Sequence, residues 1–176
     1  PQPPRAGAVM AWSVPEPPPA APVLGDPASL AALALALRRR AGEIDRAVAD
    51  LDLAAITSRH HRSRARTVVR DVSALTAAMS RSAAALSEHA GELADAIGLS
   101  TRLVDRARST GLVVDGPTIS RAAGVQGVAD PESESNRAEA LRRLQPVLDA
   151  ILLDLDTARR RLRTELERER PAVRNR

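Results

Sequence analysis

The residues of this chain that can do chemistry are few, and their spacing suits little of it. His60, His61 and His89 are the only histidines. Neighbouring residues on a helix point in different directions, and no carboxylate stands four residues beyond His60 or His61 to complete a metal set. The pair therefore reads as part of a surface turn. His89 falls on an apolar helical stripe. A hydrogen-bonded or edge-exposed imidazole is the ordinary reading there, and a pH-sensitive interface residue the sharper one. Glu88 and Glu92 lie one helical turn apart, and Asp154 and Asp156 lie close in sequence, but none joins a Glu-x-x-His pair of the di-iron bundle type. The chain has no Cys, which excludes disulfides and thiolate metal sites. It also lacks a phosphate loop, a Gly-x-Ser-x-Gly elbow and a readable Ser/His/Asp set. The expectation is a protein that is not an enzyme and that uses no cofactor and no metal.

Arginine is the other chemically expressive residue. It clusters at 38–40, 59–70 and 159–163. All 26 basic residues are Arg, and the chain has no Lys, Tyr or Cys, so no side chain titrates between His and Arg. A net charge of +4 then suffices for a pI near 11.1, which is not the mark of a strongly basic surface. Arg in place of Lys, with abundant Ala, Leu, Pro and Gly, also fits a GC-rich genome. The segment Thr118-Ile119-Ser120-Arg121-Ala122-Ala123-Gly124-Val125 looks like the first helix and turn of a helix-turn-helix. However, Gly127 and Asp130-Pro131 interrupt the stretch where a recognition helix belongs. Interleaved acids and the lack of stacking aromatics count against nucleic acid as a partner.

What the chain specifies strongly is helix. Three stretches place mostly apolar residues at alternating steps of four and three: Leu30, Ala34, Leu37, Ala41, Ile44, Val48, Leu51, Ala55; then Val68, Val72, Leu75, Met79, Ser82, Leu86, His89, Leu93; then Leu141, Leu144, Leu148, Ile151, Leu155, Ala158, Leu162. Such spacing draws one narrow apolar seam along a helix, and the seam must be covered by another helix. At 176 residues the chain is long enough for a core. With no Phe or Tyr, and with its single Trp12 in a Pro-rich segment, that core must be aliphatic and thin.

The boundaries follow from punctuation. Residues 1–25 are Pro-rich and expected to be a disordered tail, with Pro15-Glu16-Pro17-Pro18-Pro19 of polyproline character. Asp26-Pro27 supplies an N-cap and a first-turn Pro, opening a helix expected to reach about Ile56. Thr57–Arg66 is a polar break expected to form a turn. A second helix is expected from about Ser63 to Thr110, with Gly111 as left-handed cap and a bend near Gly98. The hairpin spans 26–112 and a connector 113–130. In the connector, Leu112–Gly116 is extended and Thr118–Ala123 is expected to make helical turns. Asp130-Pro131 repeats the cap and opens a third helix over 131–170, kinked or broken at Pro146, before a tail at 171–176. No apolar run reaches the ~18 residues of a membrane span. The basic residues follow the apolar run Leu30–Leu37, the wrong order for a signal peptide, so the cytoplasm is the expected location.

The stretch from Gly25 to about Ile119 resembles the WXG superfamily, small helical-hairpin proteins associated with bacterial type VII (ESX) secretion. The resemblance lies in the opening Gly25-Asp26-Pro27-Ala28-Ser29-Leu30, in the Ala/Leu/Arg-rich first helix, and in the second helix with Leu86 and Leu93. It extends through Arg106 to Asp115 after that helix. The family's Trp-x-Gly turn is absent, Thr57–Ala65 standing in its place. The usual tail signal, a Tyr with an acid four residues later, cannot occur without Tyr. In the family one member of a heterodimer can carry the signal for both. The resemblance therefore implies a signal-free partner or adaptor, exported if at all with its mate.

The expected architecture is all-α: a long antiparallel helical hairpin with a third, Pro-kinked helix. The expected job is interaction with another helical protein, a WXG-like heterodimer partner, or with a second copy. The contact residues would be Leu37, Ile44, Val48, Leu51, Val72, Leu75, Met79, Leu86 and Leu93. Two alternatives stand beside it: a DNA-associated regulatory protein using the Arg-rich segments, and a structural coiled-coil scaffold.

Overall fold

The computed structural model describes residues 20–51, 58–122 and 130–169. The elements in order are α1 (Pro27–Ala49), α2 (Arg59–Ser109), β1 (Leu112–Asp115), β2 (Thr118–Arg121) and α3 (Pro131–Glu169). The chain is all-α apart from the small hairpin.

Two helices start with the same chemistry. The Asp26 carboxylate accepts from the N–H groups of Ala28 at 3.0 Å and Ser29 at 3.1 Å, ahead of Pro27. The Asp130 carboxylate accepts from the N–H of Glu132 at 3.3 Å and the hydroxyl of Ser133 at 2.9 Å, ahead of Pro131. Each Asp-Pro-x-Ser satisfies first-turn donors that the helix itself leaves unpaired. The second helix begins earlier than the polar composition of Thr57–Arg66 led us to expect. Ser58 is extended, and Arg59–Arg66 already lies in the helix. This run holds no Gly or Pro, and Arg is a good helix former, so polarity alone does not break it. At the other side of the turn, α1 ends at Ala49. The expected extension to Ile56 runs into residues outside the described ones, where residues 1–19 with Trp12 and residues 171–176 also lie. The expected disordered tail of 1–25 is corrected at its end, because Ala20 is bonded to Asp115 and Gly116 and Val23 is buried. Helix α2 continues unbroken through Gly91 and Gly98, and α3 through Pro146. Gly111 follows the end of α2 with φ +74°, the left-handed cap.

The connector differs from expectation. Thr118–Arg121 is not helical but a strand, paired antiparallel to β1 with Val114 opposite Ile119. The two-residue loop Gly116-Pro117 has φ +53° at Gly116, and a turn with positive φ at its first position matches the twist of a hairpin. β-Branched Ile119 then lies opposite Val114, and Thr118 opposite Asp115. This removes the helix-turn-helix reading, since its first helix is a strand.

The packing has α2 as its spine. At 51 residues α2 is about 76 Å long, and both α1 and α3 run antiparallel to it. Asp45 of α1 meets Thr76, while Ala34, with Leu30 and Leu37 beside it, meets Ala83 and Leu86. Residues 20–25 extend that line: Gly25 lies on Leu93, so close that a Cβ there would sit 2.8 Å from the Leu93 side chain. On the neighbouring face, α3 lies along α2 from Arg81 down to its C-terminus. The β1–β2 hairpin closes the bottom. Leu112, Val114 and Ile119 share one aliphatic cluster with Leu103 and Ala107 of α2 and Leu144, Leu148 and Ile151 of α3.

Two measurements follow. Leu148 is the one large side chain among the described residues that is completely buried. Leu148→Ala should cost about 2–5 kcal/mol in denaturant unfolding. The Asp26 and Asp130 carboxyls are held below the usual carboxylate range, each chiefly by the serine hydroxyl bonded to it. A lowered folded-state pKa gives stability that is present above the unfolded value and lost as pH falls through the folded one. Melting temperature should therefore drop on acidification below about pH 4. The double variant Asp26→Asn, Asp130→Asn, which keeps both caps, should flatten that drop.

Candidate functional site

The groups that could carry chemistry are not brought together. His60 and His61 are exposed near the start of α2, rings edge-on with centroids 5.9 Å apart. His89 lies about 42 Å further along the same helix. It is buried against α3, its Nδ1 unbonded and 3.6 Å from the Glu92 carboxylate. Ala85, Glu88, Ala158, Arg161, Leu162 and Glu165 close around it. Glu88 and Glu92 serve a helix-crossing ion pair: both reach Arg161 of α3, at 2.9 and 3.1 Å. Among the described residues no group of three or more His, Asp or Glu side chains is placed to hold a metal ion.

What the fold does create is an unevenly covered spine. From Ala83 to Ala107, where α3 lies alongside, α2 buries nine residues. From Arg59 to Leu75 it buries none. The nine expected contact residues divide along this line. Leu86 and Leu93 are buried in the chain's own core, and Leu37 packs half-buried onto the cluster of Ala34, Ala83 and Leu86. Ile44, Val48, Val72, Leu75 and Met79 are only half-buried, although they follow the same seam. Leu51 is 55 % exposed, and Val68 beside the seam 53 %. Among the described residues, nothing covers one flank of this upper half. A groove of about 360 Å³ runs there with Leu33, Ala36, Leu37 and Met79 on its floor and Arg40 and Glu43 at its rim. No described residue of α3 lines it.

Charge changes sign along the spine at the same place. Between Arg59 and Arg81, α2 carries six arginines and one carboxylate, Asp71. Below Arg81, the residues facing α3 include Glu88 and Glu92. Helix α3 matches this: Arg161 meets the two glutamates, and Glu169, in its last turn, takes Arg81 in a two-pronged pair with both contacts at 2.8 Å. That pairing holds the Glu169 carboxyl below its usual range.

Sequence reasoning missed the residues that fasten the hairpin. The Gln145 amide accepts from the Ile119 N–H at 2.8 Å and donates to the Pro117 carbonyl at 3.0 Å and to Asp149 at 2.8 Å. Asp115 accepts from the Ala20 N–H at 2.9 Å, and Gly116 N–H donates to the Ala20 carbonyl. A lone Gln on a helix carries no sequence signal for such a role. The Asp115-Gly116 turn signal was present, but not its partner 95 residues away.

Compared with known proteins, the chain matches no family model, no curated protein and no solved structure. No helix is long and apolar enough to cross a membrane among the described residues.

His89 tests the structural reading of this half. A buried imidazole nitrogen with no hydrogen-bond partner gives little back for its desolvation. His89→Met should leave unfolding free energy within about 1 kcal/mol of the parent or raise it. A loss well beyond that in urea unfolding would show that the imidazole makes a bond that matters.

Proposed function

We propose that the chain is a non-catalytic interaction module that pairs with another helical protein through the upper half of its α1–α2 hairpin. The observation that carries this reading is the break in coverage along α2. The apolar seam continues past Arg81 through Met79, Leu75 and Val72 to Val68, while the described part of α3 reaches only to Glu169, opposite Arg81. An apolar stripe of this kind is stabilised when a further helix covers it.

The class of partner comes from the resemblance to the WXG superfamily. The Gly25–Leu30 opening and the Ala-rich second helix favour a WXG-like partner or adaptor in type VII secretion. The missing Trp-x-Gly turn and the absence of Tyr favour the signal-free member of a pair, exported with its mate or retained as its adaptor.

The test is co-expression with the helical-hairpin proteins encoded beside it, followed by size exclusion with light scattering. A one-to-one complex is expected. Leu51→Asp with Val68→Asp should weaken it by about tenfold or more, while the melting temperature of the isolated chain changes little because both side chains are more than half exposed. A stable monomer indifferent to every such neighbour would overturn the proposal. A homodimer that excludes those neighbours would favour the scaffold reading instead.

A further inference from the structure

The open groove also carries a statement about the chemistry of what fills it, resting on the reading of the chain as an interaction module. We infer that its occupant is an acidic amphipathic helix from another protein, lying on α1 and α2 as the continuation of the line that α3 takes.

The helix follows from continuity. Below Arg81 the same side of the α1–α2 pair is filled by α3, whose Leu162 packs on the cluster of Ala34, Ala83 and Leu86 that Leu30 and Leu37 also flank. The groove begins where α3 leaves off, and its floor is again aliphatic. A surface shaped to take one helix continues as a surface for another.

The acidity follows from the sign change. Where α2 presents Glu88 and Glu92, α3 answers with Arg161. Where α2 first presents Arg81, α3 answers with Glu169. Arg70 lies eleven residues before Arg81, three helical turns, and therefore points the same way. Asp71 is 3.6 Å from Arg70, and Glu43 lies 3.0 Å from Arg40 and 3.8 Å from Arg39, so the rim keeps an excess of arginine. A carboxylate on the occupant meets Arg70 as Glu169 meets Arg81.

The other occupants fit less well. Residues 170–176 carry Arg170, Arg174 and Arg176 with no acidic side chain, the wrong sign, and Pro171 besides. Residues 1–19 carry seven prolines and a single acidic side chain, Glu16, which is not the composition of an acidic amphipathic helix. A second copy brings the same arginine-rich surface against itself. Duplex DNA would use the arginines but leave the aliphatic floor exposed.

The experiment is fluorescence anisotropy on the full chain with three labelled probes: a synthetic helical peptide of about 20 residues with a Leu seam flanked by Glu, its twin with Arg for every Glu, and a short DNA duplex. The acidic peptide should bind saturably and the Arg twin should not. Arg40→Glu with Arg70→Glu, at exposed positions, should weaken the acidic peptide by about tenfold or more and admit the twin. Leu33→Asn with Met79→Gln, neutral changes on the groove floor, should also weaken the acidic peptide, which separates a groove from bare charge attraction. Four results would overturn the inference: equal binding of both peptides, acidic-peptide binding that ignores the apolar substitutions, tighter binding of the duplex, or a self-associated chain that the acidic peptide fails to dissociate. A helical partner whose complex ignores the arginine substitutions would leave the proposed function standing and remove this inference alone. Acidic-peptide binding without any such partner would do the reverse.

Discussion

The whole structure depends on covering one apolar seam. Helix α2 is about 76 Å long, and its apolar line runs nearly from end to end. No single helix of this chain is long enough to cover it, so the cover is assembled from pieces. Helix α1 takes the middle and upper part, residues 20–25 continue downward over Leu93, and the β1–β2 hairpin closes the bottom. Helix α3 covers a second flank from Arg81 downward. Because the chain lacks Phe and Tyr, contact rests on close approach. Ala34 and Ala41 of α1 and Ala83 and Ala90 of α2 are buried, and such small residues bring backbones together while burying little area each. A thin seam of this kind depends on having every flank occupied, and the upper half has one flank open.

Register along the spine is fixed by polar contacts at a few points. Arg161 with Glu88 and Glu92, and Arg81 with Glu169, favour one alignment of α3, since sliding it by a turn would break both pairings. These surface pairs add little stability individually. Their value lies in specificity, as it does for the Gln145 amide, which holds the hairpin to α3 by bonds to the Pro117 carbonyl and the Ile119 N–H, on both sides of Thr118. The Asp115–Ala20 contact ties the approach to α1 to the hairpin tip, so the pieces that cover α2 on that side are joined to one another.

Much of the architecture was readable from residue order because it is local. Asp-Pro-x-Ser at 26–29 and 130–133 is a cap whose partners are two and three residues away, and Gly111 is a terminator that needs no distant partner. The three seams set which faces turn inward. Two features were not legible. The strand at Thr118–Arg121 is stabilised by Val113, Val114 and Gln145, and nothing within Ile119-Ser120-Arg121-Ala122 distinguishes it from a helical start. The early start of α2 at Arg59 was hidden because polarity resembles a break, whereas helix propensity is indifferent to charge. For the contact surface, the seam identified the right residues but not their division. That Leu86 and Leu93 serve the chain's own core, while Ile44, Val48, Val72, Leu75 and Met79 remain half-covered, depends on where α3 ends, and no local pattern records that.

Amide hydrogen exchange along α2 in the isolated full-length chain tests the central claim most directly. Uneven cover predicts strong protection from Ala83 to Ala107, where α3 and the hairpin lie alongside, and markedly faster exchange from Arg59 to Leu75 within the same continuous helix. Protection that is uniform along α2, or higher in the Arg59–Leu75 half, would contradict the account.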